Sequence, residues 1–183
     1  GKKNSVSADF GATWRQLASA DELKDPVTTN SVIAPACEAP VIAYGPGVQA
    51  WYNLWVAPDP TQQTGTGVPT RLAFGLEEVW SNDRTLSKTT PLDGSAPVKF
   101  KAVGRYYAGD TCTFIIITNA LPTCPAAPGG EVPDTTTHPD QHGALWIPDA
   151  SGGGVTLLVA NDGGLYQQHR ADGEALSNEA WGT

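Results

Sequence analysis

The sequence predicts an all-β protein, and three observations carry that prediction. Twenty Gly and fifteen Pro among 183 residues, with a charged fraction of 16%, suit a loop-rich sheet protein better than a helical one. Six Trp and no Met supply rigid aromatics of the kind sheets favour. Apolar runs are short and alternate with turn chemistry, while the 3.6-residue period of a helix is nearly absent.

The elements follow in order. "SADFGATW" (Ser7 to Trp14) places Ser, Asp, Gly and Thr at two-residue steps, a pattern that builds a turn. Asp9 accepts from backbone N–H groups further on, Gly11 takes a positive φ, Ser7 and Thr13 satisfy further donors, and Trp14 swings back to pack. "ASADELKD" (Ala18 to Asp25) predicts one or two helical turns with Ser19 as N-cap. The runs "SVIAPA", "AWYNLWVAP", "RLAFGLEEVW", "PVKFKAVG", "CTFIIIT", "GALWIP", "VTLLVAN" and "GGLYQQH" read as strands bounded by Pro, Gly, Asp and Asn. Residues 58–70 and 121–137 are polar and rich in Pro and Gly, and read as surface loops.

Length and charge bound the function. The chain suits one domain with a sizeable core. A net charge of −8, with no basic run, argues against nucleic acid and anionic membrane as partners. No stretch approaches the roughly 18 apolar residues of a spanning helix. No leader segment is recognisable, so the chain reads as intracellular or already processed. Three cysteines favour the second reading and an extracellular or periplasmic setting. Cys112 and Cys124 flank a segment that a disulfide would close, which leaves Cys37 free or paired outside the chain; three reduced thiols are the alternative. No cofactor motif and no metal-ligand set is identifiable.

An internal repeat organises the strands. "AWYNLWVAPD" followed by "RLAFGLEEVWSND" parallels "QHGALWIPDA" followed by "VTLLVANDGGLYQQ". Leu54 matches Leu145, Trp55 matches Trp146, and Trp80 matches Tyr166. Each copy is a meander, and repeated meanders are the sequence sign of a β-propeller.

The opening stretch fits S-x-D-x-G-x-T-W, which closely resembles the Asp-box of sialidase-like and sortilin-like propellers. "HPDQHGALWIPDA" with "VANDGGLYQQHRADG" resembles bacterial BNR-repeat propeller proteins of glycosyl-hydrolase type. The resemblance is loose over Ser7 to Trp181 and close over His138 to Tyr166. It implies four-stranded blades, a secreted protein and a ligand site at the channel mouth. The strands suffice for two or three blades, so residues 1–183 are expected to form part of a propeller completed by another chain, a processed fragment or a missing segment.

His138, Asp140 and His142 alternate, so on an extended strand they share one face. Two readings stay open: a polar network with the turn Asn161, Asp162, Gly163 and Gly164, or ligand contacts in which Asp140 is the candidate catalytic carboxylate. Superposing the repeats sets Gln49 against Asp140 and Trp51 against His142. Gln49 and Trp51 would suit a sugar platform, and a tryptophan wedged between blades is the structural alternative. Adjacent Glu77 and Glu78 point to opposite faces of a strand and cannot flank one glycosidic bond. Function therefore divides between a glycoside hydrolase-like propeller and a non-catalytic scaffold that binds glycan or protein, or builds an extracellular assembly.

Overall fold

The computed structural model describes residues 4–7, 11–31, 46, 50–82, 90–105, 136–178 and 180–183. Asp9, Gln49, Cys37, Cys112 and Cys124 lie outside them, as do most of loop 121–137 and the strands read at "SVIAPA" and "CTFIIIT". The chain is mostly β, as expected, and its described residues form three antiparallel sheets. Strands β1 (Asn4–Val6) and β2 (Arg15–Ala18) form a hairpin. Strands β3 (Trp55–Pro58), β4 (Leu72–Gly75), β5 (Val79–Asn82) and β6 (Phe100–Gly104) form a four-stranded meander. Strands β7 (Gln141–Pro148), β8 (Gly154–Asn161) and β9 (Gly164–Ala171) form a three-stranded one.

The helical segment begins where the sequence places it. Helix α1 (Ala20–Leu23) is capped by Ser19, whose hydroxyl accepts from Glu22 N while Glu22 accepts from Ser19 N, a reciprocal capping box. A second turn, α2 (Pro26–Thr29), follows directly and was not expected. Pro26 stands at its first position, where a missing N–H costs nothing.

Strands β4, β5 and β6 of the meander send side chains into a core on each face, and alternation along each strand assigns the faces. Phe74, Trp80, Phe100 and Ala102 point into one core with Leu17, Leu23, Leu92 and Val98. Their neighbours Ala73, Val79 and Val103 point into a second core with Trp146, Val155, Leu157, Val159, Leu176 and Trp181. Trp80 is fully buried, stacked on Phe74 at 5.9 Å, and Phe100 meets Phe74 edge-on at 5.1 Å. This double burial is why the strands read as apolar runs.

The run "RLAFGLEEVW" is two strands. It breaks at Leu76–Glu78, where Leu76 N donates to Glu78 O at 2.9 Å. Glu77 and Glu78 therefore occupy a turn, which corrects their expected place on a strand. Both are buried, and Glu78 accepts from the Ser31 hydroxyl at 2.5 Å.

Loop 58–70 is a built element as well. Gln63 and Pro69 form a β-bridge, and Gly67 turns at φ +81. Asp59 at its base is buried and holds Arg71, which donates Nη1 to the Glu174 carbonyl at 2.6 Å and lies 5.1 Å from the Trp146 ring. Gln62 Nε2 donates to Asp172 at 2.9 Å. These bonds tie the two larger sheets together beside Trp146, whose Nε1 donates to Ala57 O at 2.9 Å. At the outer edge of β9, Gln167 and Gly182 exchange both backbone bonds, and Trp181 inserts to donate Nε1 to Val103 O at 2.6 Å.

The opening hairpin holds one correction. Gly11 has φ +93 and its N–H donates to Ser7 Oγ at 2.7 Å. Trp14, however, is 66% exposed instead of packed. It lies between the two strands of the hairpin, just before β2, whose Leu17 and Ala18 are the residues that enter the first core.

Two substitutions test this core. Trp80→Ala should cost about 3–5 kcal/mol in denaturant unfolding, the range for emptying a buried aromatic site. Gly75→Ala should lower Tm clearly, because a Cβ there would run into Trp55 Nε1 and lie 2.6 Å from Gln141 Cβ.

Candidate functional site

Strands β3 and β7 make the closest approach between the two larger sheets, and the polar residues of both repeats meet at one end of them. Backbone bonds dock the entry to β7 on the β4–β5 turn: Asp140 N donates to Glu77 O at 3.1 Å and Gln141 N to Leu76 O at 3.0 Å. Gln141 is fully buried; its amide donates to His138 O at 2.6 Å and its oxygen accepts from Asn161 Nδ2 at 3.4 Å.

The expectation that His138, Asp140 and His142 share one face of an extended strand is wrong. Strand β7 begins only at Gln141. Asp140 has φ +63, a left-handed conformation that breaks alternation. The register then slips between Gln141 and Gly143, so His142 occupies a bulge.

The three side chains still gather around the turn from Asn161 to Gly164. There Asn161 Oδ1 accepts from Gly163 N at 3.0 Å, and Gly164 has φ +120. His138 lies over Gly163, where a Cβ would come within 2.5 Å of His138 Cβ. His142 Nε2 bonds Asp162 Oδ1.

Asp140 is half-buried and accepts from Asn53 Nδ2 at 2.7 Å, which joins the first repeat to the second. Burial, followed by the charge of Asp162, raises the Asp140 carboxyl above its ordinary value; the Asn53 bond and the imidazoles of His138 and His142 oppose the rise. Beside Asn53 stand Trp51, 76% exposed, and Tyr52, 50% exposed, with ring centroids 5.4 Å apart. Partial desolvation and then the Asp140 charge raise the Tyr52 phenol.

Trp51 is thus an open aromatic surface and not a wedge between sheets. Trp55, four residues on, packs against the second core.

Sequence reading missed Tyr52, Asn53 and Gln141 and gave Asp162 only a turn role. The available signal was the repeat itself, which aligns the 51–53 segment with the start of β7. Among the described residues no group of three or more His, Cys, Asp or Glu side chains is arranged to hold a metal. The set offers instead an aromatic platform, an amide, a carboxyl with raised proton affinity and a carboxylate paired to imidazole. Such a set can stack on an apolar ring face, bond hydroxyls and hold a proton.

A raised carboxyl pKa means that the folded state binds the proton more tightly than the unfolded chain. Below 3.8, the ordinary value, Asp140 is protonated in both states and costs nothing. As pH rises past that value towards the folded-state pKa, the charge penalises the folded state. Asp140→Asn, which tolerates the same φ, should therefore gain Tm over wild type as pH rises from 3.8 and keep a constant gain above the folded-state pKa. Melting curves across that range check it.

Comparison with protein-family models, curated proteins and solved structures finds no match to this chain.

Proposed function

We propose that this chain is a section of an Asp-box-type β-propeller that binds carbohydrate at the rim formed by Trp51, Tyr52, Asp140, His142 and Asp162. One observation carries the reading: two exposed aromatics stand beside a carboxylate held in a costly backbone conformation and at raised proton affinity. Strain and a perturbed carboxyl in one residue mark a site kept for something other than stability. The adjacent meanders, with first strands side by side, support the propeller. The carboxylates favour neutral glycans over acidic ones.

The hydrolase-like form of this proposal assigns Asp140 as the proton donor to the leaving group, with Asp162 as the charged partner. Neutral oligosaccharides titrated against tryptophan fluorescence should bind, and Trp51→Ala should weaken them about tenfold or more, as for other aromatic anchors. Asp140→Asn should keep binding and abolish release of reducing ends. No fluorescence change with any glycan would sink the carbohydrate reading; binding without turnover in wild type would remove only the hydrolase.

A second reading, an assembly scaffold in a secreted structure, has its own observation. The outward face of the β7–β9 sheet carries Leu145, Ile147 and Leu165, all exposed, an apolar surface of the kind that marks contact sites. A further blade, from another chain or a processed fragment, is the proposed cover. Sedimentation should show association that the double variant Leu145→Asp, Ile147→Asp abolishes with the fold retained. A monomer at every concentration would count against the scaffold.

A further inference from the structure

Asn53 reaches from the first repeat to one atom of the second. Its Nδ2 donates to Asp140 Oδ1 at 2.7 Å, and the side chain is fully buried. The carboxyl is held from the backbone as well: Asp140 N donates to Glu77 O at 3.1 Å, and a φ of +63 sets where the side chain leaves the chain. Among the described residues no hydrogen bond reaches Asp140 Oδ2.

The two oxygens of Asp140 are therefore not equivalent. An oxygen that receives an N–H bond at this distance is the carbonyl-type acceptor of the protonated acid, and the O–H belongs to the other oxygen. When the acid ionises, the same bond becomes charge-assisted and strengthens. Asn53 thus assigns the proton to Oδ2 and favours the anion left when that proton departs. Other groups face the carboxyl from each neighbouring element. The charge of Asp162, in the turn before β9, opposes ionisation, while His138 and His142, on either side of the entry to β7, favour it. Tyr52 feels the charges of Asp140, Asp162 and Glu77 together. Among the described residues, Asn53 alone acts on one chosen oxygen.

We infer that Asn53 is the positioning residue of the rim: it holds Asp140 Oδ1 and leaves Oδ2 as the atom that carries the proton and meets the ligand. This role rests on the reading of Asp140 as the working carboxyl of a carbohydrate site. In the hydrolase-like form, the Oδ2 proton passes to the glycosidic oxygen and the C–O bond breaks with its electron pair on that oxygen. Water then adds to the sugar carbon and returns a proton to Oδ2. In the binding form, Oδ2 bonds a sugar hydroxyl. An amide suits the task, because it donates whether or not the acid is ionised.

Carbon NMR of the full chain with labelled aspartate, followed against pH, tests this. Asn53→Ala removes the bond that favours the anion, so the Asp140 midpoint should move up. A merely structural role predicts the opposite: a loosened site admits water, relieves the desolvation and moves the midpoint down. In wild type the Asn53 side-chain amide should titrate with the Asp140 midpoint, and in Asp140→Asn that titration should vanish; this measurement needs no Asn53 variant to fold. An Asp140 midpoint unchanged or lowered in Asn53→Ala, or an Asn53 amide indifferent to Asp140, would overturn the assignment.

Activity separates this role from the reading beneath it. Where wild type releases reducing ends, the alkaline limb of the rate in Asn53→Ala should move up with the NMR midpoint. Wild type that binds neutral glycan without release removes the hydrolase form alone, and no glycan binding removes the carbohydrate reading. In both cases the two titrations still decide whether Asn53 sets the proton on Oδ2.

Discussion

The constraint on which the molecule depends is that three strands of one sheet must feed a core on each face. In β4, β5 and β6, residues at neighbouring positions face different cores: Ala73 and Phe74, Val79 and Trp80, Val103 and Ala102. Apolar side chains must therefore stand on both faces of these strands, and any shift by one residue would exchange the two sets. The large aromatics go to the side of the small hairpin and helices. The small residues Ala73 and Val79 go to the side where a whole second sheet must approach. Size is matched to what each face has to meet.

That close approach also explains why polar residues collect at one end. Where β3 and β7 run side by side, the chain entering β7 must reach the β4–β5 turn and still pair with β8. It does so with a left-handed Asp140, a bulge at His142 and a buried Gln141 that satisfies His138 O and Asn161. Asn53 reaches across from the other repeat. The carboxylates and the exposed aromatics are neighbours because of the docking geometry, not because of sequence proximity.

Much of this architecture is legible in local chemistry. Ser19 and Glu22 announce a helix start through a spacing whose mechanism is a pair of reciprocal bonds. Asn161 to Gly164 announces a tight turn, and the apolar runs Pro97 to Gly104, Gly143 to Pro148 and Val155 to Asn161 announce strands. What escapes is decided by tertiary contact. Alternation at His138, Asp140 and His142 was the natural inference from a period of two, but one positive φ and one slipped register defeat it. Trp14 shows the same limit, since a tryptophan's burial depends on whether a second layer exists to receive it. Glu77 and Glu78 are read as strand residues because an apolar run does not declare its own corner.

Gly75 links interior and rim. Its missing methyl lets Trp55 and Gln141 lie against β4, and Gln141 separates Asp140 from His142 in the chain. A side chain at position 75 would displace Gln141 and with it its chain neighbours at the rim, even though none of them had changed. The placement of Asp140 and His142 is thus tied to the packing of the interior, through a residue that neither of them touches in sequence.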